Sequence, residues 1–246
     1  MDTFKMQVPD GVEDCLPAEC YIKKRMEAAL RRRFVLSGYD EVETPTYEFL
    51  DVFQSGVGAY MQESMIKFVG PSGRILVLRP DLTVPIARLV ATKFPAGGIK
   101  RLFYIQNSYA AAEPSIGKAG EFTQAGIELI GDASCAADAE IIALAVRALQ
   151  TAGLHSFTID IGQVGYFKAL VSGLELGEAQ TDALRRAVDS KNVVEIEAMA
   201  GQLGITGRRK EQLLALPNLF GGAEVFDKAL ALSDEAGCRE AVENLK

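Results

Sequence analysis

The sequence predicts an α+β fold: a mixed, mostly antiparallel sheet flanked by helices, followed by an all-helical C-terminal subdomain. Three observations predict it. Two β-rich runs flank Pro71-Ser72-Gly73 in KFVGPSGRILVL, which is a hairpin signal. The strand-like segments are separated by hairpin signals as well as by helices, which favours an α+β layer over a doubly wound parallel sheet. From Glu178 onward the patterns are almost only helical, so the character of the chain changes after about Ser172. The expected domains are therefore a mixed core over residues 1–175 and a helical insertion or appended subdomain over residues 176–246.

The first element runs from about Pro17 to Gly38. Pro17 fits an early helical position, and Ile22, Met26, Ala29, Leu30 and Phe34 recur at spacings of three and four. Arg31, Arg32 and Arg33 fall near its end, where positive charge suits the helix dipole. A short strand is expected around Glu41 to Glu43, limited by Pro45. After the hairpin, a helix following Asp81 would carry Val84, Ile86, Ala87, Leu89 and Val90. Lys100 to Ser108 reads as a strand and Glu121 to Ile130 as its antiparallel neighbour. The alanine-rich stretch Cys135 to Ala152 is a helix, and the alternation from Ser156 to Ile161 suggests a strand with a helix after it. Helices are then expected over 178–188, 193–203, 209–215, 223–232 and 235–245, punctuated by glycines and Pro217. A mixed core ordinarily returns to its sheet, so a piece of a longer protein and an autonomous C-terminal helix are both compatible with the pattern.

The totals narrow the classes. A chain of 246 residues can bury one substantial core with a small helical appendage. A net charge of -7 and a pI near 5.0 argue against general affinity for a nucleic-acid backbone, which requires clustered Lys and Arg. No apolar run approaches a membrane span, and MDTFKMQVPDG lacks the basic head and apolar stretch of a signal peptide. A cytoplasmic location is expected. Cys15, Cys20, Cys135 and Cys238 form no CxxC pair and read as free thiols, while His155, the single histidine, cannot supply a two-histidine metal site. No metal or cofactor is expected. Gly70-Pro71-Ser72-Gly73 lacks the Lys-Ser/Thr of a P-loop, Gly221-Gly222 reads as a helix break, and Arg208-Arg209-Lys210 reads as a solvated helix start.

Four polar residues require explanation. Asp81 and Thr83 follow Arg79-Pro80 at the start of a predicted helix, where Asp81 also suits an N-cap. Gln124, Gly126 and Glu128 alternate with Phe122, Ala125, Ile127 and Leu129. Residues two apart share a strand face, so Gln124 and Glu128 project together with Gly126 leaving space between them. Carboxylate and amide acceptors so placed suit an ammonium or imidazole group. The same alternation fits a solvated sheet face, and the residues alone leave both readings open.

Several segments, in order, resemble the catalytic domain of histidyl-tRNA synthetase and its paralogue, the regulatory subunit of ATP phosphoribosyltransferase. PDGVEDCLP (Pro9 to Pro17) is similar to the family's entry sequence. GYDEVETPTYE (Gly38 to Glu48) resembles class II motif 1, with Pro45 at the motif proline, and implies a homodimer through this region. LRPDLTVPIAR (Leu78 to Arg88) resembles a histidine-binding segment. RLFYIQNSYAAAEPSIGKAGEFTQAGIELIG (Arg101 to Gly131) resembles motif 2, its loop and the following strand. The resemblance spans most of residues 8 to 175. It implies a class II aminoacyl-tRNA synthetase-like fold and a pocket for histidine formed by Asp81, Thr83, Gln124 and Glu128, with Asp81 standing where the synthetase usually has Glu.

The chain departs from the synthetase within motif 2. A synthetase carries an Arg, one further residue, then a Glu where this sequence has Ala110, Ala111 and Ala112. That Arg stabilises charge formed largely in the transition state of adenylation, so its loss removes catalytic stabilisation that Lys118, the one basic residue nearby in the loop, does not obviously restore. Motif 3, the second histidine-binding segment and an anticodon-binding domain are also missing from the sequence, which truncation would explain; Ala110 and Ala112 are not explained that way. The resemblance therefore implies a non-catalytic regulatory subunit, with no catalytic residues of its own. It would join the short-form ATP phosphoribosyltransferase catalytic subunit in a hetero-octamer, activating the first step of histidine biosynthesis and taking part in feedback inhibition by histidine. The alternatives are a truncated, divergent histidyl-tRNA synthetase and a synthetase-like regulator of another protein.

Overall fold

The computed structural model describes residues 7–54, 65–111 and 120–246. The chain divides into two compact units, Met1–Phe157 and Thr158–Lys246. In the first unit, Pro17 opens helix α1 (Pro17–Leu36), where its missing N–H would be unsatisfied anyway. Glu19 reaches back to accept the Leu16 N–H at 3.3 Å. Only the C-terminal half of the α1 apolar stripe enters the core. Phe34 is buried and Leu30 packs beside it, whereas Ile22 and Met26 are 64% and 42% exposed.

Among the described residues, two three-stranded sheets follow. The first has the order β1 (Asp40–Glu41), β5 (Lys100–Tyr109), β6 (Glu121–Ile130), with β1 parallel and β6 antiparallel to β5. The second is antiparallel, in the order β2 (Tyr47–Phe49), β4 (Ile75–Leu78), β3 (Lys67–Val69). The expected turn at residues 70–74 joins β3 and β4, with the Gly70 N–H donating to Arg74 O at 2.9 Å. Helix α2 (Leu50–Gln54) directly follows β2, and helix α3 (Thr83–Lys93) and helix α4 (Cys135–Thr151) lie further along the unit. Ser134 caps α4, accepting from the Ala137 N–H at 3.2 Å.

The period-2 alternation of β5 and β6 sorts their side chains onto two faces. Phe103 and Ile105 of β5, with Ile127 and Leu129 of β6, pack on Leu30 and Phe34 of α1 and on Ile141 and Leu144 of α4. Leu102 and Tyr104 face the other way, against Leu82 and Ile86 at the start of α3. Each such fully buried apolar side chain contributes about 1.5–3 kcal/mol, so helices on both faces hold the long hairpin in one register. The face turned toward α3 also carries Gln124, Gly126 and Glu128.

The second unit contains α5 (Val164–Val171), α6 (Glu178–Asp189), α7 (Val193–Gln202), α8 (Gly207–Ala215), a short 3₁₀ turn (Leu216–Asn218), α9 (Glu224–Leu232) and α10 (Ala236–Leu245). Phe167, Val171, Leu184, Ile196 and Leu213 form one core; Tyr166, Leu170, Ala229, Cys238 and Val242 form a second. Because α5 contributes to both, the division between units falls ahead of it, and the boundary expected at 175/176 lies inside the helical unit. The strand expected over Ser156 to Ile161 does not form. Alternation alone leaves backbone N–H and C=O groups unpaired, and no described strand pairs with this segment. No helix among the described residues is long and apolar enough to cross a membrane.

Candidate functional site

The candidate site lies in the first unit, where the start of α3 meets the β5–β6 hairpin. Thr83, the first residue of α3, donates from Oγ1 to Glu128 Oε1 at 2.9 Å. Asp81 accepts the Val84 N–H at 3.4 Å, a long contact that gives it a weak capping role two residues before the helix. Gln124 accepts from the Ser108 hydroxyl at 2.9 Å across the hairpin. The structure thus joins Thr83 to Glu128 directly, places Asp81 close enough to influence Glu128, and ties Gln124 to a buried serine on β5.

Burial raises the Glu128 carboxyl above the usual carboxylate range. The Thr83 hydrogen bond opposes that shift, and the Asp81 charge adds to it. Among the described residues neither carboxylate is ion-paired to a Lys or Arg. Arg79, the nearest cation in sequence, is buried and turned away: it donates to Asn107 O at 2.8 Å, Thr44 O at 2.5 Å and Pro45 O at 3.0 Å. Gln106 holds the same turn, accepting the Thr44 N–H at 3.1 Å, and Arg88 on α3 pairs with the buried Glu48 on β2 at 2.5 Å. These contacts fix the start of α3 relative to the turn around Pro45.

The space expected above Gly126 is not empty. Gly126 pairs with Tyr104 in the β5–β6 register, and the Tyr104 ring folds across it. A methyl group at Gly126 would lie 2.3 Å from the Tyr104 hydroxyl oxygen and 2.4 Å from Cζ. Glycine is therefore required for the phenol, which stands between Gln124 and Glu128. Burial pushes this phenol up to about 12, with the Glu128 and Asp81 charges adding and the neighbouring Thr83 hydroxyl opposing. Sequence reasoning missed Tyr104 and Ser108; their positions directly across the hairpin from Gly126 and Phe122, in one register, carried the available signal.

Ala110 lies just beyond β5, and its N–H donates to Gly120 O at 3.0 Å, continuing the hairpin pairing without placing a charge there. Ala112 and Lys118 lie outside the described residues. His155 is exposed in a loop. Arg208, Arg209 and Lys210 pair with Asp234, Glu235 and Glu197, as suits a solvated helix start. Among the described residues, no group of three His, Cys, Asp or Glu side chains is placed to hold a metal ion, and Cys15, Cys20, Cys135 and Cys238 are free thiols.

The motif 1 turn, the long hairpin backed by two helices and the acceptor-lined face toward α3 define a class II aminoacyl-tRNA synthetase-like core. Residues 11–246 match the family model of histidyl-tRNA synthetase, and the chain belongs to that family. It is 42% identical over 247 residues to an ATP phosphoribosyltransferase regulatory subunit from Ruminiclostridium cellulolyticum, covering 100% of this chain and 59% of that protein. A regulatory subunit of the same description from Acetivibrio thermocellus is 43% identical over 247 residues, with the same coverage. The chain thus spans about three-fifths of the length of these relatives. A solved structure from Bacillus halodurans, described as an ATP phosphoribosyltransferase regulatory subunit/histidyl-tRNA synthetase, superposes with a TM-score of 0.86 at 36% identity, covering 98% of this chain and 63% of that one. A histidine–tRNA ligase subunit from Alicyclobacillus acidocaldarius, at 22% identity and TM-score 0.72, shares the fold, covering 97% of this chain and 71% of that one.

Proposed function

We propose that this chain is the synthetase-like part of a non-catalytic regulatory subunit that activates the short-form ATP phosphoribosyltransferase catalytic subunit in the first step of histidine biosynthesis. The observation that carries this reading is the combination at the hairpin. The acceptor set Thr83–Glu128, Asp81 and Gln124 is intact, while Ala110 leaves a methyl where adenylation requires a guanidinium. The printed descriptions of the relatives at 42% and 43% identity support it. On this reading the pocket takes histidine through its ammonium and imidazole N–H groups, and its occupancy contributes to feedback inhibition. The protein works in the cytoplasm as a homodimer through the motif 1 region, within a hetero-octamer with the catalytic subunit. An acidic chain whose short basic run is ion-paired suits a protein partner better than tRNA.

The test is phosphoribosyl-ATP formation by the short-form catalytic subunit, with and without the full regulatory protein, repeated with added histidine. Activation that histidine suppresses is expected. Absence of activation by the cognate protein overturns the assignment. Histidine-dependent exchange of pyrophosphate into ATP would instead favour a divergent histidyl-tRNA synthetase, the reading that the family membership alone would suggest.

A further inference from the structure

We propose that Tyr104 is a specificity-determining residue of this pocket: its hydroxyl, seated over Gly126, donates to an acceptor atom of the bound ligand. On the histidine reading above, on which this rests, the ring is bound as neutral imidazole, one nitrogen giving its N–H to Glu128 and the other taking the phenol proton.

Two unspent hydrogen-bonding groups meet at this place in the hairpin. Tyr104 is 3% exposed, and its ring packs among Leu82, Ile86 and Leu102. Its hydroxyl oxygen fills the space over Gly126, 2.3 Å from where a Cβ would stand, on the strand face that carries Gln124 and Glu128. Among the described residues that hydroxyl makes no hydrogen bond, although its neighbours do: Thr83 donates to Glu128 Oε1 and Ser108 to Gln124 Oε1. No fully buried side-chain oxygen or nitrogen among them lacks a partner, so the small exposed part of Tyr104 includes the phenol oxygen. Glu128 Oε2 is unused as well, since Thr83 donates to Oε1 alone.

The chemistry of these groups limits what can join them. Glu128 and Asp81 as carboxylates only accept. Gln124 spends its oxygen on Ser108, which leaves its amide N–H groups as the other donor, on the far side of Gly126 from Glu128. The phenol is thus the donor beside Glu128, and a phenol proton left unpaired in a buried place is costly. Residues two apart on a strand are spaced by about 7 Å, close enough for one small ring to meet both groups. Neutral imidazole carries an N–H on one nitrogen and a lone pair on the other. An imidazolium would present N–H to both sides and leave the phenol proton without an acceptor.

The experiment measures histidine binding to the full protein by calorimetry between pH 7.5 and 5.5, for the native sequence and Tyr104→Phe. Thermal unfolding checks that the ring's packing is kept. With a pKa of about 6.5, free imidazole passes from roughly nine-tenths to roughly one-tenth neutral over this range. The phenol keeps its proton throughout. Native affinity should fall roughly tenfold on acidification. At pH 7.5 Tyr104→Phe should bind about 5–10-fold more weakly, the loss typical of one buried hydrogen bond. On acidification it should lose at least about fivefold less affinity than the native protein, because no unpaired donor then penalises the second N–H. Protonation of Glu128 weakens both proteins alike, so the difference between the two profiles is the readout. A native affinity that does not fall in acid, or profiles that run parallel, overturns the assignment of Tyr104 while leaving histidine in the pocket. No histidine binding by the native protein at any pH overturns the pocket reading and this assignment with it.

Discussion

At Arg79, burial and hydrogen bonding pull in opposite directions. Burial lowers the guanidinium from its usual range, yet three backbone carbonyls from two separate segments accept its protons. The planar fork is what allows one side chain to reach Thr44, Pro45 and Asn107 together. Arg79→Met should therefore destabilise the protein by about 3 kcal/mol, since the acceptors lose their charged donor and Thr44 O keeps only the longer 3.3 Å bond from the Gln106 amide. Arg79→Lys should cost about 1–2 kcal/mol, because an ammonium cannot reproduce the fork. Urea unfolding would read both as a lower midpoint at unchanged slope; an unchanged midpoint for Arg79→Met would remove Arg79 from this role. The sequence exposed the site residues unevenly at this scale. Gln124 and Glu128 were legible because polar residues interrupt an apolar alternation, and Asp81 and Thr83 because they open a helix. Tyr104 was not, since an aromatic residue in a strand reads as core, and only the pairing with Gly126 reveals its polar end. Arg79 was equally hidden, because its acceptors are backbone groups without any sequence signature.

The elements show where pattern suffices and where pairing decides. The β5–β6 hairpin was legible because each strand has ten residues of alternation and a helix on each face to satisfy. The equally regular alternation over Ser156 to Ile161 gave no strand, since a ladder needs a partner as well as a pattern. Strand β2 was missed because three residues after Pro45 are too few to establish a period. The hairpin's far end depends on a close backbone approach instead. Gly131 has φ 98°, and a Cβ there would lie 2.6 Å from Gly98 O, a backbone atom that cannot rotate away. Gly73, in the β3–β4 turn, has φ 78° but open space around it. Gly73→Ala should thus cost about 1 kcal/mol for the left-handed conformation alone. Gly131→Ala should cost about 2–4 kcal/mol, because overpacking adds to it. Thermal unfolding of the two variants checks the difference; equal losses would show that the Gly98 approach relaxes at little cost.

At the scale of the molecule, the apolar surface left uncovered on the first unit bears on assembly. The predicted α1 stripe was correct in period and incomplete in burial: Phe34 is in the core, but Ile22 and Met26, four residues apart on one helical face, face solvent with Tyr21. On the second sheet, Tyr47 and Phe68 form an exposed edge-to-face pair with ring centroids 5.9 Å apart. A sequence pattern records that a face must be buried without recording whether the same chain buries it. Apolar side chains exposed together on one helical face are a candidate for association. The homodimer proposed through the motif 1 region would use α1 and the turn that follows it. On that placement, Ile22→Glu puts a charge into the buried interface while leaving the monomer core untouched, since Ile22 packs on none of its clusters. Sedimentation of the full protein should give twice the chain mass for the native sequence and a shift toward one chain mass for Ile22→Glu. A weakening of association by about 2–4 kcal/mol, roughly 30- to 1,000-fold in the dimer dissociation constant, is expected from burying an unpaired charge. Unchanged helical circular dichroism would show that the monomer fold survives. A variant that remains as tightly dimeric as the native protein would place the interface away from α1.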